Sequence, residues 1–455
     1  MKKFPAILSA LMVTGAFGIA QAQTNQPQTI TLDQALAIAF QRNVNVAQAA
    51  NTVDEAKAAV VAAYGLYIPK LNASASYERS GLNAPPTTRY FIGLSLTSNQ
   101  RTDLYYNQYS GNVGFTYTLF DGFNREATFS TAKQSETQAN ESYARTRQSI
   151  AYSVMSSYLT VIQEEQQVKV LQENLENQKR ELDRITEQNR LGAVAIGDVY
   201  RQQSLVAQAE YNLISGQNLY DKSKADLLNL LALDVNQPYV IADATIAAQI
   251  KQVETDPSTD SLGTFHELLS RSLAARPDYA AAEAGVNIAD LGITQAWSSY
   301  YPTLSLDGTL STYAEDWKTT SSWANRQTNI DATLSWQLPD IFSSMQRIEQ
   351  ADIAKKNAVL QMQQSARDIS VALKKALLDL DASRKQYVAS QKSQIAAEQD
   401  RKTAEAKYNL GSGTLLDLQV ADAAYLTAQL TTLANAYNYI TLKKNLELVI
   451  GEKNY

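Results

Sequence analysis

The sequence predicts an α+β membrane protein in which three chains share one twelve-stranded outer-membrane β-barrel, four strands from each chain, continuous with a long periplasmic α-helical coiled-coil barrel. Three observations support this prediction. The N-terminus has the pattern of an export signal, four segments alternate apolar and polar residues, and two long stretches free of Gly and Pro carry heptad-spaced apolar residues. The same order of segments occurs twice, which indicates an internal duplication.

Residues 1–22 have the features of a secretory signal peptide. Two lysines precede an apolar run, and Ala20-Gln21-Ala22 places small residues at the positions that a signal peptidase recognises. A single membrane-anchoring helix is the alternative. It is less favoured because Gly15 and Gly18 interrupt a run that is shorter than the ~20 residues of a span. We therefore expect an exported chain whose mature form begins at Gln23.

The composition argues against several classes of function. The net charge is −6, whereas nucleic-acid binding requires clustered basic residues, so no nucleic acid is expected as a partner. The chain has no cysteine, which excludes disulfides, thiolate metal sites and an N-terminal lipidated cysteine. The one histidine, His266, lies in a helical pattern, and no hydrolase, metalloprotease or phosphate-loop motif accompanies it. We therefore expect neither an enzyme nor a cofactor- or metal-binding protein.

The two halves of the chain share landmarks. A helical run ends at Pro69 in the first half and at Pro302 in the second, and a strand pattern follows each of these hinge prolines. Further on, Leu-Gly pairs ending at Gly192 and Gly411 interrupt long helical patterns. These landmarks predict a first structural repeat, a surface excursion around the tube, a second structural repeat and a short tail, at residues 23–231, 232–265, 266–451 and 452–455.

Four segments alternate apolar and polar side chains and are predicted to be barrel strands, near residues 71–80, 111–120, 303–313 and 328–337. For one such segment alone, a sheet packed on a soluble core is the simpler explanation, but four in an exported chain favour the membrane. Open sheet edges cannot face lipid, and the smallest membrane barrels have about eight strands, so several chains must share the barrel. Two chains would give a barrel filled by side chains, whereas three would leave a pore.

The helical stretches are too long for a globular domain. From Arg125 to Arg190 and from Ser343 to Leu410 there is neither Gly nor Pro, and apolar residues recur every seven positions. The first stretch alone would extend ~100 Å as one helix. A non-conducting periplasmic coiled-coil adaptor or scaffold is the alternative interpretation, although such a protein needs no set of alternating strands.

Each long helical stretch ends in a glycine-containing turn, predicted at residues 191–198 and 410–417. Glycine permits the left-handed residue that reverses a chain, and the turns contain Gly192, Gly197, Gly411 and Gly413. Asp198 and Asp417 follow near the start of the next helix, where capping explains both. In a three-fold tube, each of these aspartates would also form a ring of three carboxylates.

These residues resemble the TolC family of outer-membrane efflux proteins. The resemblance rests on Ile68-Pro69-Lys70-Leu71 and Tyr301-Pro302-Thr303-Leu304 at the helix ends, Leu119-Phe120-Asp121-Gly122 at a strand exit, and Tyr408-Asn409-Leu410-Gly411-Ser412-Gly413-Thr414 at the second turn. It covers nearly the whole mature chain. It implies a homotrimer in contact with outer-membrane lipid, docked to a periplasmic adaptor and an inner-membrane pump, that acts as the exit duct of a tripartite efflux or type I secretion system.

The resemblance also implies roles for residues at the turns. Asp417 would line the constricted periplasmic entrance, and Tyr408 would tie the inner coiled coil to Asp198 of the outer one when the entrance is closed. Two positions depart from the family pattern. Gly413 stands where an arginine helps to lock the entrance, and Val420 stands where a second ring aspartate is found, with Asp422 nearby but off register. We therefore expect a lock that is looser or built from other contacts.

Overall fold

The computed structural model describes residues 28–84, 87–91, 94–98, 102–242, 263–320, 326–337 and 340–452. The predicted signal peptide, the last three residues of the predicted tail and most of the predicted excursion lie outside the described residues.

The first half of the chain runs from a short strand through two helices into a β-hairpin and then into a long helical pair. Its elements are β1 (Gln28–Ile30), α1 (Leu32–Arg42), α2 (Val44–Tyr64), β2 (Lys70–Ala84), β3 (Thr87–Phe91), β4 (Leu94–Ser98), β5 (Thr102–Phe120), α3 (Asn124–Arg190) and α4 (Ile196–Leu230).

The second half has a similar order of elements. After β6 (Tyr239–Ile241), its elements are α5 (Phe265–Ala275), α6 (Pro277–Trp297), β7 (Thr303–Ala314), α7 (Trp317–Thr320), β8 (Arg326–Ser335), α8 (Ile341–Asn409) and α9 (Leu415–Ile450). Corresponding helices have nearly equal lengths: α2 and α6 have 21 residues each, α3 and α8 have 67 and 69, and α4 and α9 have 35 and 36.

Local chemistry sets the helix ends. Thr31 and Thr264 begin α1 and α5 with complete capping boxes, in which a side chain three residues on returns a hydrogen bond to the cap backbone. Single 3₁₀ turns close α2 and α6, and Pro69 and Pro302 follow them immediately before the strands. Proline lacks the N–H that would continue a helix. Among the described helices, none is both long and apolar enough to cross a membrane.

Four strands form one antiparallel sheet in the order β2-β5-β7-β8. The register places Ser76 opposite Ser110 and Leu306 opposite Ala332. One face of the sheet carries exposed apolar side chains, among them Leu71, Tyr77, Val113, Leu310, Ile330 and Leu334. The other face is polar, and there the Thr116 hydroxyl donates to Asp307 at 2.7 Å. Strands β2 and β8 have no partner strand on their outer edges within the described part of the chain.

Three strand predictions differ from the structure in their bounds. The strand predicted near 111–120 begins at Thr102, the one predicted near 71–80 continues to Ala84, and the one predicted near 328–337 is displaced to Arg326–Ser335. The early start of β5 arises from pairing with β2, because Thr102 to Gln108 lie opposite Ala84 to Glu78 and pair with no residue of β7. The first hairpin therefore projects beyond the second.

The largest apolar core lies where the middle of α3 and the middle of α8 pack against α1 and against the last turns of α4 and α9. Residues of α1, α3, α4, α8 and α9 bury Tyr158 and Tyr439 completely, and the Tyr158 hydroxyl donates to the Ile30 carbonyl at 2.9 Å. Nearby, the buried guanidinium of Arg276 donates to Val449 O at 3.2 Å and pairs with Asp278. The hydrogen bond to Val449 joins the end of α9 to the start of α6.

Candidate functional site at the helical tip

The two turns between long helices, together called the tip, reverse the chain through left-handed glycines. Gly192 and Gly411 have φ values of +80° and +70°, as predicted. The other two glycines of the predicted set act differently. Gly197 lies within the first turn of α4. Gly413 adopts no positive φ, but a Cβ there would approach Lys407 Cβ to 2.9 Å. A larger residue at this position therefore requires the turn to shift.

Asp417 is an exposed capping residue at the start of α9. Its carboxylate accepts hydrogen bonds from the Thr414 hydroxyl at 2.6 Å and the Thr414 backbone N–H at 3.1 Å, and its own N–H donates to Thr414 Oγ1 at 3.1 Å. The hydrogen bond from the Thr414 hydroxyl is the main reason why the pKa of Asp417 lies below its usual value. Asp417 is therefore a fixed negative charge at the tip.

Asp198 has a different environment. It accepts a hydrogen bond from Arg201 Nη1 at 3.1 Å, one turn further along α4, and α4 begins without a side-chain cap. The Tyr408 hydroxyl, which the family resemblance had assigned to Asp198, donates instead to Gln188 Oε1 at 3.2 Å. The prediction of a Tyr408–Asp198 hydrogen bond is therefore corrected. Gln188 lies on the last turns of α3, on the side that faces Tyr408, whereas the Asp198 carboxylate is engaged within its own helix.

Tyr408 is part of a larger set of contacts between the first coiled coil (α3 and α4) and the second (α8 and α9). The Arg184 guanidinium of α3 lies 4.9 Å from the centre of the Tyr408 ring and donates to Asn409 Oδ1 at 2.7 Å. Burial raises the pKa of the Tyr408 hydroxyl, with a smaller contribution from the Glu181 charge. Arg184 thus bridges the coiled coils through two adjacent residues at the end of α8, although it does not occupy the family's arginine position.

A buried amide network forms a second bridge. Gln202 of α4 has no exposed surface and donates to the Gln178 side chain at 2.8 Å and the Gln178 carbonyl at 3.1 Å. Gln419 of α9 donates to Gln202 Oε1 at 3.0 Å. This network was not predicted from the sequence. Its signal was a polar residue, Gln202, between Val199 and Val206 in the heptad pattern, where a coiled coil normally places an apolar residue.

Apolar packing completes the tip. Leu415, the first residue of α9, is buried against Ile185 of α3 and Val199 of α4, and Tyr408 packs against the same cluster. Gly413 and Val420, the two positions that depart from the family pattern, provide none of these contacts. Val420 is exposed on α9, and the nearby Asp422 lies in a cleft between the coiled coils. The tip can therefore hold the second coiled coil against the first through apolar, amide and guanidinium contacts together.

Comparison with known proteins identifies the family. Residues 35–233 and 268–452 match the model of the outer membrane efflux protein family. The chain belongs to this family. These two segments contain the corresponding helix–hairpin–helical-pair halves described above. Family membership places this efflux protein in the outer membrane, with its helices extending into the periplasm.

Individual relatives agree with this assignment. The efflux protein is 25% identical over 406 residues to the pyoverdine export outer membrane protein OpmQ of Pseudomonas aeruginosa, covering 88% of this chain and 80% of that protein. It is 22% identical over 465 residues to the outer membrane protein TolC of Escherichia coli K12, covering 100% of this chain and 87% of TolC.

Solved structures share the fold. The Campylobacter jejuni CmeC outer membrane channel superposes with a TM-score of 0.76 at 18% identity, covering 93% of this chain and 87% of CmeC. The open state of the Neisseria gonorrhoeae MtrE outer membrane channel superposes with a TM-score of 0.73 at 16% identity, covering 92% of this chain and 89% of MtrE. The mostly helical architecture with a small four-stranded sheet is therefore that of outer-membrane efflux channels.

Proposed function

We propose that three copies of this outer-membrane efflux protein close a twelve-stranded barrel, and that the resulting duct passively conducts substrates delivered by an inner-membrane pump through a periplasmic adaptor. The single observation that carries this proposal is the four-stranded sheet. Its apolar face is exposed, its two edge strands are unpaired within the described chain, and it leads directly into helices of 67 and 69 residues.

The open edges support a shared barrel. Strands β2 and β8 present unpaired N–H and C=O groups, which lipid cannot satisfy. Pairing β2 of one chain with β8 of the next satisfies them. With four strands from each chain, three chains give twelve strands, which suits a pore better than the eight strands that two chains provide. The apolar face then meets lipid, and the polar face, which includes Asp307 and Asp331, lines the lumen.

The oligomer is tested first. Membrane fractions are extracted with and without detergent and run unboiled and boiled on denaturing gels. We expect extraction to require detergent and a trimer band that collapses to the monomer on boiling. Release without detergent, as a monomer at both temperatures, would favour the non-conducting coiled-coil scaffold.

Conduction and the entrance are tested in planar bilayers. We propose that the second coiled coil swings away from the first when the periplasmic entrance opens, and that Asp417 faces the passing ions. Its hydrogen bonds from Thr414 keep it ionised, and three symmetry-related copies would form a ring. Asp417→Ala is expected to weaken block by divalent cations and reduce cation preference. Glu452→Ala, which removes a carboxylate beyond the opposite end of α9 from the tip, is the control. Equal block by divalent cations in wild type and Asp417→Ala would show that Asp417 does not face the ions at the entrance.

A further inference from the structure

A carboxyl group that the tip contacts do not use lies in a cleft between the two coiled coils. The cleft has a volume of about 510 Å³ and is bounded by α3 on one side and by α8 and α9 on the other. Asp422 lines it together with Leu418, Tyr425 and Gln429 of α9. These residues are spaced by three or four positions along one face of the helix, so Asp422 occupies a packing position on α9.

The charge of Asp422 is poorly compensated. Its closest cation is Arg401 of α8, whose Nη1 is 3.9 Å from Asp422 Oδ1, at the outer limit of an ion pair. Arg401 lies 5.1 Å from the centre of the Tyr425 ring, and its Nε atom is buried without a hydrogen-bond partner. Arg184 of α3 is committed to Glu181 at 2.7 Å and to Asn409 at 2.7 Å.

Three other carboxylates line the same cleft from the neighbouring helices. The titratable and charged groups that line it are Glu173, Arg180, Glu181 and Arg184 of α3, Arg401 and Glu405 of α8, and Asp422 and Tyr425 of α9. Glu181 and Glu405 oppose a negative charge on Asp422, while Arg401 and Arg184 favour it. Closing the cleft therefore brings Asp422 toward other carboxylates and leaves its side chain only 27% exposed to water.

We propose that proton binding to Asp422 fastens the second coiled coil to the first, so that mild acid favours the closed periplasmic entrance. This inference rests on the outward swing proposed above, because only that movement returns Asp422 to water. The tip residue Asp417 cannot supply the response, since its pKa is already below the usual value for aspartate and it stays ionised over this range.

The sign and size of the effect come from the two environments of the carboxyl group. In the closed cleft, burial, with the nearby Glu181 and Glu405 charges, raises the pKa of Asp422 to about 6. In a hydrated, open arrangement the pKa returns to about 3.9. A group with the higher pKa in the closed state takes up a proton on closing. The closed state therefore becomes more stable relative to the open state as pH falls through 6. It loses this extra stability as pH rises through 6. Between pH 7 and pH 5, the ratio of open to closed protein falls about tenfold per chain.

The cleft can be monitored without relying on conduction. The chain has no cysteine, so Gln429→Cys carries a single nitroxide spin label on the cleft wall. In the purified, detergent-solubilised full-length protein, we expect the immobilised fraction of the label to rise as pH falls from 7 to 5. Asp422→Asn should keep the label immobilised at both pH values. Asp400→Asn, which removes an exposed carboxylate of α8, should retain the wild-type response. If Gln429→Cys does not fold, Asn174→Cys on the opposite wall replaces it.

The result separates this inference from the proposed function. A label that is indifferent to pH, or an equal response in wild type and Asp422→Asn, would overturn the role of Asp422. The same proteins are then examined in planar bilayers, where the ratio of open to closed channels should fall at least about tenfold from pH 7 to pH 5 in wild type but not in Asp422→Asn. A label response without any change in occupancy would support proton-dependent fastening and refute the entrance mechanism on which the second half of the inference rests.

Discussion

Replacing Gln419 with leucine removes one bridge between the coiled coils while leaving each coiled coil intact. The lost interaction is the 3.0 Å hydrogen bond from Gln419 to Gln202 Oε1. Gln202 is completely buried, so its oxygen is left without a partner for as long as the tip is closed. Leaving a buried acceptor unpaired costs about 1–3 kcal/mol. Opening the tip exposes the acceptor to water and relieves that cost.

The expected result is a 5- to 150-fold rise in the ratio of open to closed protein per chain, since about 1–3 kcal/mol corresponds to that range. Single-channel recording in planar bilayers measures the ratio as open occupancy. Gln399→Leu, which makes the same substitution at an exposed position on α8, is the matched control and should change little. Unchanged occupancy in Gln419→Leu, with a trimer of unchanged heat stability, would mean that the amide network does not hold the tip closed.

Two further substitutions address the tip. Tyr408→Phe removes the hydrogen bond to Gln188 but keeps the ring beneath Arg184. We therefore expect open occupancy to rise about 2- to 10-fold, which is less than for Tyr408→Ala. Equal occupancy in Tyr408→Phe and wild type would show that the hydroxyl contributes nothing to closure. Thr414→Ala removes the α9 cap, which is worth about 1 kcal/mol, and should speed amide hydrogen exchange in the first turn of α9 without affecting the capped start of α5. Unaltered exchange there would argue against a stabilising role for the capping box.

Sequence patterns predicted the regular elements because those elements depend on local periodicity. Alternation marked the sheet strands, and the stretches without Gly or Pro marked α3 and α8 within a few residues of their ends. The extra length of β5 was missed because Thr102 to Gln108 become a strand by pairing with β2, which is a property of the register and not of the segment itself.

The tip illustrates the same distinction. Gly192 and Gly411 could be assigned from sequence because a left-handed reversal restricts the residue type. The partner of Tyr408 could not, because it depends on how the two coiled coils are rotated about each other. That rotation presents Gln188 to the hydroxyl and leaves Asp198 with Arg201. The Gln202 network lay between these cases: its position in the heptad pattern was visible, but its partners on α3 and α9 were not.

The near-equal lengths of α3 and α8, and of α4 and α9, constrain how this chain can change in evolution. The two turns lie side by side at the tip only because paired helices match in length. Helices α3 and α8 have 67 and 69 residues, and helices α4 and α9 have 35 and 36. Removing one heptad from α8 and α9 alone would raise the second turn by about 10 Å and pull Leu415 out of the pocket made by Ile185 and Val199. Insertions and deletions in α3, α4, α8 and α9 should therefore be tolerated only when all four helices change length together. A longer or shorter duct would then arise by concerted steps of whole heptads.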